Sequence, residues 1–309
     1  MNKQIEGLVE NIEKVIIGKR MSIVCVIAAM LSEGHILIED VPGVGKTRLV
    51  SALASSVDGH FNRIQLTPDI MPSDIVGFSM IDPQTRELTY KQGAAMCNFL
   101  LADEINRASP KAQSSLLEVM EEHQISLDGH TMRLPFPFMV LATQNPVETY
   151  GTYHLPEAQM DRFIMKISMG YPSPEEEFDI ITRSETNNFT HELQAVMSVE
   201  DVATHIAAAR RVYCADSVKQ YIVNLLNATR RSELIKLGAS PRAGIALLRA
   251  SKSLAYISGR DYVVPDDVRD MMSVVLAHRL MLSPKGKSVY QTPENVMAEA
   301  AKSVPAPLK

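Results

Sequence analysis

Residues Ile36 to Thr47, ILIEDVPGVGKT, constrain this chain more than any other stretch, because an apolar strand there feeds a glycine turn that ends in Lys-Thr at a helix start. Gly43 and Gly45 permit backbone conformations that aim successive N–H groups at phosphate oxygens, and the helix that starts near Lys46 adds its positive dipole end. Lys46 is placed to neutralise charge on β- and γ-phosphates, and Thr47 to help hold Mg²⁺. The strict G-x-x-x-x-G-K-[ST] pattern has glycine where Asp40 stands. The weight therefore falls on the strand, loop and helix context, and the alternative is an ordinary glycine turn before a helix.

A second stretch answers the first. Asn98 to Glu104, NFLLADE, reads as a buried strand that ends in two carboxylates, a position from which an acidic pair projects over a phosphate loop. Asp103 suits a water-mediated Mg²⁺ contact and Glu104 suits a catalytic base that orients and polarises the attacking water. By itself the pair could be a strand ending in a solvated acidic turn. Phe138 to Thr143, FMVLAT, reads as another buried strand, and Asn145 just beyond it can reach a γ-phosphate or the water.

The chain has 309 residues, enough for about two domains, with a formal net charge of -5 and a pI near 5.9. That charge gives no overall footprint for duplex DNA. No run of about 18 uncharged apolar residues occurs, so no membrane insertion is expected, and MNKQIEGLVENIEK lacks the pattern of a signal peptide; the expected location is cytoplasmic. Cys25, Cys97 and Cys214 are far apart without a CxxC, which argues against a disulfide framework or zinc site.

Helical spacing predicts a first helix through Ile5, Leu8, Ile12 and Val15, then a second from about Lys19 to Glu33. Thr67 to Gln92 holds three prolines and little helical periodicity, as an insertion would. Ser109-Pro110 caps a helix carrying Leu116, Leu117 and Met120, and Gln124 to Pro135 alternates around Asp128-Gly129, a hairpin signal. A short helical turn at Pro156 precedes a strand from Phe163 to Met169. From about Tyr171 the strands are expected to stop, and capped helices follow at Ser198, Asp216, Ser240 and near Pro265. After Ser283 apolar periodicity is poor until Thr292.

In this order, these parts resemble the AAA+ ATPases, and most closely the MoxR family. The resemblance is carried by VIIGK (Val15 to Lys19), EDVPGVGKT (Glu39 to Thr47), LTPDIMPSDIVGF (Leu66 to Phe78), LLADEINRA (Leu100 to Ala108), LEVMEEHQISLDG (Leu117 to Gly129), LATQNPVETYGTYHLPEAQMDRF (Leu141 to Phe163) and GASPRA (Gly238 to Ala243). It implies a parallel-sheet αβα P-loop sandwich over residues 1–170 and an α-helical lid over 171–309, with ATP between them. Carried over by position, Lys46 and Thr47 look like Walker A, Asp103 and Glu104 Walker B, Asn145 sensor 1 and Arg242 sensor 2 on a lid that closes over ATP. The nucleotide-contacting set it implies is Ile16, Ile17 and Gly18 at the adenine, and Pro42, Gly43, Val44, Gly45, Lys46, Thr47 and Arg48 at the phosphates, with Asp103 and Arg242. Thr47 and Asp103 would hold Mg²⁺. Arg162 lies where this family places an arginine that completes the neighbour's ATP site. The alternative for it is an intrachain pair with Asp161 or Glu157, and Arg107 is the reserve candidate.

The resemblance further implies a ring homo-oligomer, most often a hexamer, that remodels or activates a protein client, often with a von Willebrand A domain partner. Residues 69–91 match the family's helix-2 insert and 124–134 its pre-sensor hairpin, segments that face a ring's centre. A nucleic-acid translocase shares both, but Asp82, Arg86, Glu87 and Lys91 nearly cancel, whereas a phosphate-tracking pore needs a net basic lining. A nucleotide-sensing scaffold is the third reading and requires Glu104 to be idle.

Overall fold

A computed structural model describes residues 1–146, 153, 155–185 and 193–307. Its first part contains strands β1 (His35–Glu39), β2 (Phe61–Gln65), β3 (Gly77–Ile81), β4 (Leu88–Gln92), β5 (Phe99–Asp103), β6 (Gln124–Leu127), β7 (His130–Arg133), β8 (Met139–Gln144) and β9 (Phe163–Ile167). Five of them form one parallel sheet in the order β2-β5-β8-β1-β9. Helices α1 (Lys3–Glu13), α2 (Arg20–Leu31), α3 (Lys46–Ser56), α4 (Pro72–Val76), α5 (Pro110–Glu122) and α6 (Glu157–Met160) accompany them.

β1, β5, β8 and β9 are buried along nearly their whole length because both faces of the sheet are covered there, while the edge strand β2 carries Asn62, Arg63 and Gln65. Ile36, Ile38, Phe99, Leu101, Met139 and Leu141 face a core shared with α1, α2 and α3, while Leu37, Leu100, Ala102, Val140 and Ala142 face α5. Helix α2 buries nine of its residues, from Ile23 to Leu31, so it is apolar on every side and packs against the sheet as well as two later helices. The Asp128-Gly129 signal gives the expected hairpin β6–β7, with both turn residues at positive φ, 50° and 79°. The insertion is a helical turn, α4, followed by the antiparallel hairpin β3–β4. Its Phe78, Met80, Ile81 and Leu88 are exposed, together with the preceding Met71.

The second part holds α7 (Pro174–Glu185), α8 (Val199–Arg211), α9 (Asp216–Arg231), α10 (Pro241–Ile257), α11 (Pro265–Leu276), α12 (Pro284–Tyr290) and α13 (Pro293–Lys302). One expectation needs correction. Strands do not stop at Tyr171: β10 (Ile235–Leu237) and β11 (Met281–Leu282) pair antiparallel, too short to carry an alternation of their own. The weakly periodic segment after Ser283 is helical as α12, started by the Ser283 hydroxyl accepting from the Gly286 N–H and by Pro284 in the first turn. Among the described residues no helix is long and apolar enough to cross a membrane.

Two histidines, His35 buried and His278 half-buried, tie layers together at the foot of the sheet. His35, the first residue of β1, accepts from the Val140 N–H through Nδ1 and donates from Nε2 to the Met120 carbonyl, each at 2.9 Å. Burial pulls its pKa down to about 4. His278 donates to the Phe163 carbonyl at 3.1 Å, and burial, reinforced by Arg279, pulls its pKa down to about 3. Both folded values lie below the unfolded value near 6.5, so the unfolded chain binds more protons as the pH drops below 6.5 and stability is lost in that direction. From pH 7 to pH 5 the urea unfolding free energy is expected to fall by on the order of 3 kcal/mol, at about 1.4 kcal/mol per histidine per pH unit. A flat profile over that range contradicts a neutral state for both rings in the folded chain.

Candidate active site

At the carboxyl ends of the parallel strands the sheet order sets the loops side by side: β5 ends in Asp103, β8 leads to Asn145, and β1 leads to the glycine loop. Gly43 and Gly45 have φ of 87° and 94°, conformations that L side chains rarely adopt, and open space stands where a Cβ would point. Helix α3 begins at Lys46 with no side-chain cap, which leaves its first-turn N–H groups turned toward the loop. Lys46 is curled back, Nζ donating to the Asp40 carbonyl at 3.0 Å. Pro42, Gly43 and Arg48 are exposed, and Val44, Gly45 and Thr47 are half-buried. The open left-handed turn and the uncapped helix start fit a phosphate chain.

Asp103 is buried and held on both oxygens. Thr143 donates its hydroxyl to Oδ1 at 2.7 Å, and Arg63 donates Nη2 and Nε to Oδ2 at 2.7 and 3.1 Å. The Thr143 hydroxyl also accepts from the Glu104 N–H at 2.9 Å, so one β8 side chain orients both acidic residues of β5. Glu104 itself sits at φ 57°, ψ 52°, a left-handed conformation that costs a non-glycine residue roughly 1–3 kcal/mol and is held here by its hydrogen bonds to Thr143 and Arg107. Its carboxylate meets the Arg107 guanidinium of its own chain at 3.2 Å. Asn145 is 5% exposed between the acidic pair and the glycine loop. Among the described residues there is no cluster of three His, Cys, Asp or Glu side chains. A divalent ion here would rest on the oxygens of Thr47 and Asp103, water and the nucleotide's own phosphates, a donor set that suits Mg²⁺, and its chemistry would be to neutralise charge on the phosphates.

Asp40, the departure from the strict pattern, has a structural task. Its buried carboxylate accepts from the N–H groups of Met169 and Gly170, the latter at 3.0 Å, and from the Ser168 hydroxyl at 3.2 Å. The first residue after β1 thus ties the glycine loop to the segment that leaves β9 for the second part of the chain. Restoring the pattern's glycine, Asp40→Gly, is expected to lower the unfolding free energy by about 2–3 kcal/mol, because three donors lose a charged acceptor. An unchanged urea midpoint contradicts that role.

Arg162 and Arg242 lie elsewhere. Arg162 immediately precedes β9 and pairs with Glu121 Oε2 at 3.0 Å, while Arg242, in the first turn of α10, pairs with Glu121 Oε1 at 3.2 Å. Glu121 is in the last turn of α5, next to Met120, whose carbonyl bonds to His35 at the start of β1. Both arginines are therefore at the amino ends of the strands, about 16 Å of strand away from Lys46, Asp103 and Glu104. The lid arginine is not brought over the glycine loop of its own chain. The reason is the docking of α10: Ser240 bonds to Asp161 at 3.3 Å, and buried Arg279 pairs with Asp161 at 3.3 Å and donates to the Phe163 carbonyl at 2.7 Å. Nor does Arg162 pair with Asp161, which Arg279 engages. At the far end of α1, Ile16 is buried, Ile17 half-buried and Gly18 exposed at φ 72°, with the Glu176 carboxylate packed directly over it.

Sequence reasoning missed Thr143, Arg63 and Glu121. The first two could be found by laying FNRIQ, FLLAD and MVLATQ side by side as adjacent parallel strands, which sets Thr143 beside Asp103 on one side and, on the other, Arg63 two residues before Asp103's register partner Gln65 and on the same face. Glu121 has no local signal.

A parallel sheet in this strand order, with a glycine loop after β1, an acidic pair at the end of β5 on the far side of β8, and a helical second part, defines an AAA+ ATPase. Residues 35–165 match the ATPase family associated with various cellular activities (AAA), and residues 227–300 match the AAA lid domain. The chain is 47% identical to YeaC of Bacillus subtilis (strain 168) over 97% of its length and 94% of the relative's, and 40% identical to Chaperone MoxR1 of Mycobacterium tuberculosis over 98% and 82%. A crystal structure from Cytophaga hutchinsonii, provisionally assigned as an ATPase, superposes with a TM-score of 0.92 at 36% identity, covering 99% of this chain and 96% of that one. The chain belongs to the MoxR family of AAA+ ATPases.

Proposed function

We propose that this chain hydrolyses ATP with Mg²⁺ in a ring of six identical subunits, at sites completed by the neighbouring subunit, and uses the cycle to remodel or activate a protein client. The observation that carries the reading is the separation within one chain: the phosphate loop, Asp103, Glu104 and Asn145 gather at one end of the sheet, and Arg162 and Arg242 at the other. A ring that sets the arginine end of one subunit against the loop end of the next supplies both halves. In that site Lys46 and the α3 N-terminus bind phosphate, Asn145 and Glu104 orient the water, Glu104 takes its proton, and Arg162 meets charge that develops on the transferred group. We take 1–170 as the nucleotide-binding unit and 171–309 as the lid, and Ile16 to Gly18 as the adenine contact.

The exposed Phe78, Met80, Ile81 and Leu88 of the insert favour a protein client over a phosphate backbone, since the charges around them nearly cancel. The chaperone name of the Mycobacterium relative supports the same direction, and a von Willebrand A domain partner is the adaptor we expect from the family. If sites form between subunits, ATPase activity per subunit must rise with protein concentration until the ring is assembled, then level off. Phosphate release measured across a dilution series, alongside light scattering for mass, tests this. Undiminished activity per subunit in a monomer overturns it.

A further inference from the structure

Two arginines from different parts of the chain share one carboxylate. Arg162, from the turn before β9, holds Glu121 Oε2 at 3.0 Å, and Arg242, from the start of α10, holds Oε1 at 3.2 Å. Two guanidiniums so close repel one another, and each has many rotamers, so without an anion between them they would splay apart. The carboxylate supplies one acceptor oxygen to each, as two oxygens of a phosphate group could. The side chains of Arg162, Glu121 and Arg242 are 28%, 38% and 51% exposed, so an incoming anion has access to the pair.

The cluster is not what fastens the lid to the sheet. That is done by Arg279 and His278 on the Phe163 carbonyl, by Ser240 and Arg279 on Asp161, and by α11 packed against β9. Half-exposed ion pairs add little to stability beside those buried contacts. What Glu121 contributes is placement.

We propose that Glu121 is a positioning residue for the composite ATP site: it holds Arg162 of the sheet and Arg242 of the lid side by side, so that both meet the neighbouring subunit's triphosphate together. This rests on the reading that Arg162 acts on the neighbour's ATP. A lid displaced from its own sheet would separate the pair and slow the neighbour's turnover, which gives the ring a route by which one subunit's lid position is felt in the next site.

The test is steady-state ATPase of assembled rings carrying Glu121→Gln. The amide is nearly isosteric and keeps one acceptor oxygen but puts an NH₂ donor against the other guanidinium. The expected result is a kcat about 10-fold lower, with KM for ATP within about 2-fold and the thermal midpoint unchanged, because the subunit's own phosphate loop is untouched. Combining it with Arg242→Ala is expected to cost less than the product of the two single losses, because both act through one cluster. Glu121→Lys, which repels both arginines, is expected to fall further, and its outcome stands in if the glutamine variant does not assemble. Wild-type kcat in Glu121→Gln, fully multiplicative losses, or a fall in kcat accompanied by equal losses in ATP affinity and thermal midpoint each overturn the proposal. Arg162→Ala separates it from the reading beneath it. If that variant is inactive while Glu121→Gln turns over normally, the composite site stands and Glu121 is not its positioning residue; if Arg162→Ala is fully active, both fall.

Discussion

Glu104→Gln is expected to bind ATP as tightly as the parent chain and to hydrolyse it about 10²–10⁴-fold more slowly, the range typical of a lost general base. The amide preserves the shape and polarity of the side chain but accepts no proton from the attacking water. The local geometry argues that the residue is held for this purpose. Its backbone occupies a left-handed conformation at the end of β5, pinned by the Thr143 hydroxyl on its N–H and by the Arg107 N–H on its carbonyl. Neither bond involves the side chain, so the substitution leaves the backbone anchors intact. The carboxylate now meets Arg107, a contact worth about 1 kcal/mol or less at this exposure, which leaves it available for a new partner. Calorimetry for ATP affinity and single-turnover phosphate release separate the two effects. Turnover near the parent rate would remove Glu104 from the role of base and revive the scaffold reading.

Arg162→Ala carries the largest expected loss. A guanidinium that meets the transferred phosphoryl group is worth about 10³–10⁵ in rate, or roughly 4–7 kcal/mol of barrier. The ion pair with Glu121 that the structure shows is partly exposed and worth about 1 kcal/mol or less, so a merely structural role predicts a nearly normal enzyme. The two roles therefore differ by orders of magnitude in phosphate release, with ATP affinity preserved in either case because the subunit's own loop lies at the other end of the sheet. Arg107, the other candidate for this role, touches Glu104 of its own chain in the structure. Arg107→Ala subjected to the same assay discriminates between them.

What could be read before folding followed from local physics. The buried parallel strands announce themselves as short apolar runs, the glycine loop by residues whose positive φ few others adopt, and the β6–β7 turn by Asp128-Gly129. The insert's hairpin was less visible because GFSMI and LTYKQ are exposed along most of their length and need not alternate. Helix α12 was hidden for a related reason, since PKGKSVY has no apolar stripe and is set by its Ser283 cap. In the site, the residues named by motif were legible and their supports were not. Thr143 and Arg63 matter because β2, β5 and β8 are neighbours, which only the sheet order reveals. The resemblance puts Arg242 on a lid that closes over ATP, but α10 is committed to the foot of the sheet by Asp161 and Glu121, contacts between residues 79 and 121 positions apart. Tertiary docking decided that position, and no local pattern near GASPRA encodes it. Of the stretch LATQNPVETYGTYHLPEAQMDRF, residues 147–152 and 154 lie outside the described residues.

The central claim is that one subunit's arginines serve the next subunit's loop, and mixing two inactive proteins tests it most directly. Lys46→Ala lacks the cation that binds the triphosphate but keeps Arg162; Arg162→Ala keeps the loop but lacks the arginine. Each alone is expected to release almost no phosphate. Co-assembled rings contain interfaces where an intact loop faces an intact arginine, so phosphate release in the mixture is expected to rise well above the sum of the two separate preparations. Native mass spectrometry on the same sample establishes that both variants share a ring. If mixed rings are present and phosphate release stays at the sum of the parts, Arg162 does not act across the interface, and the composite site is wrong.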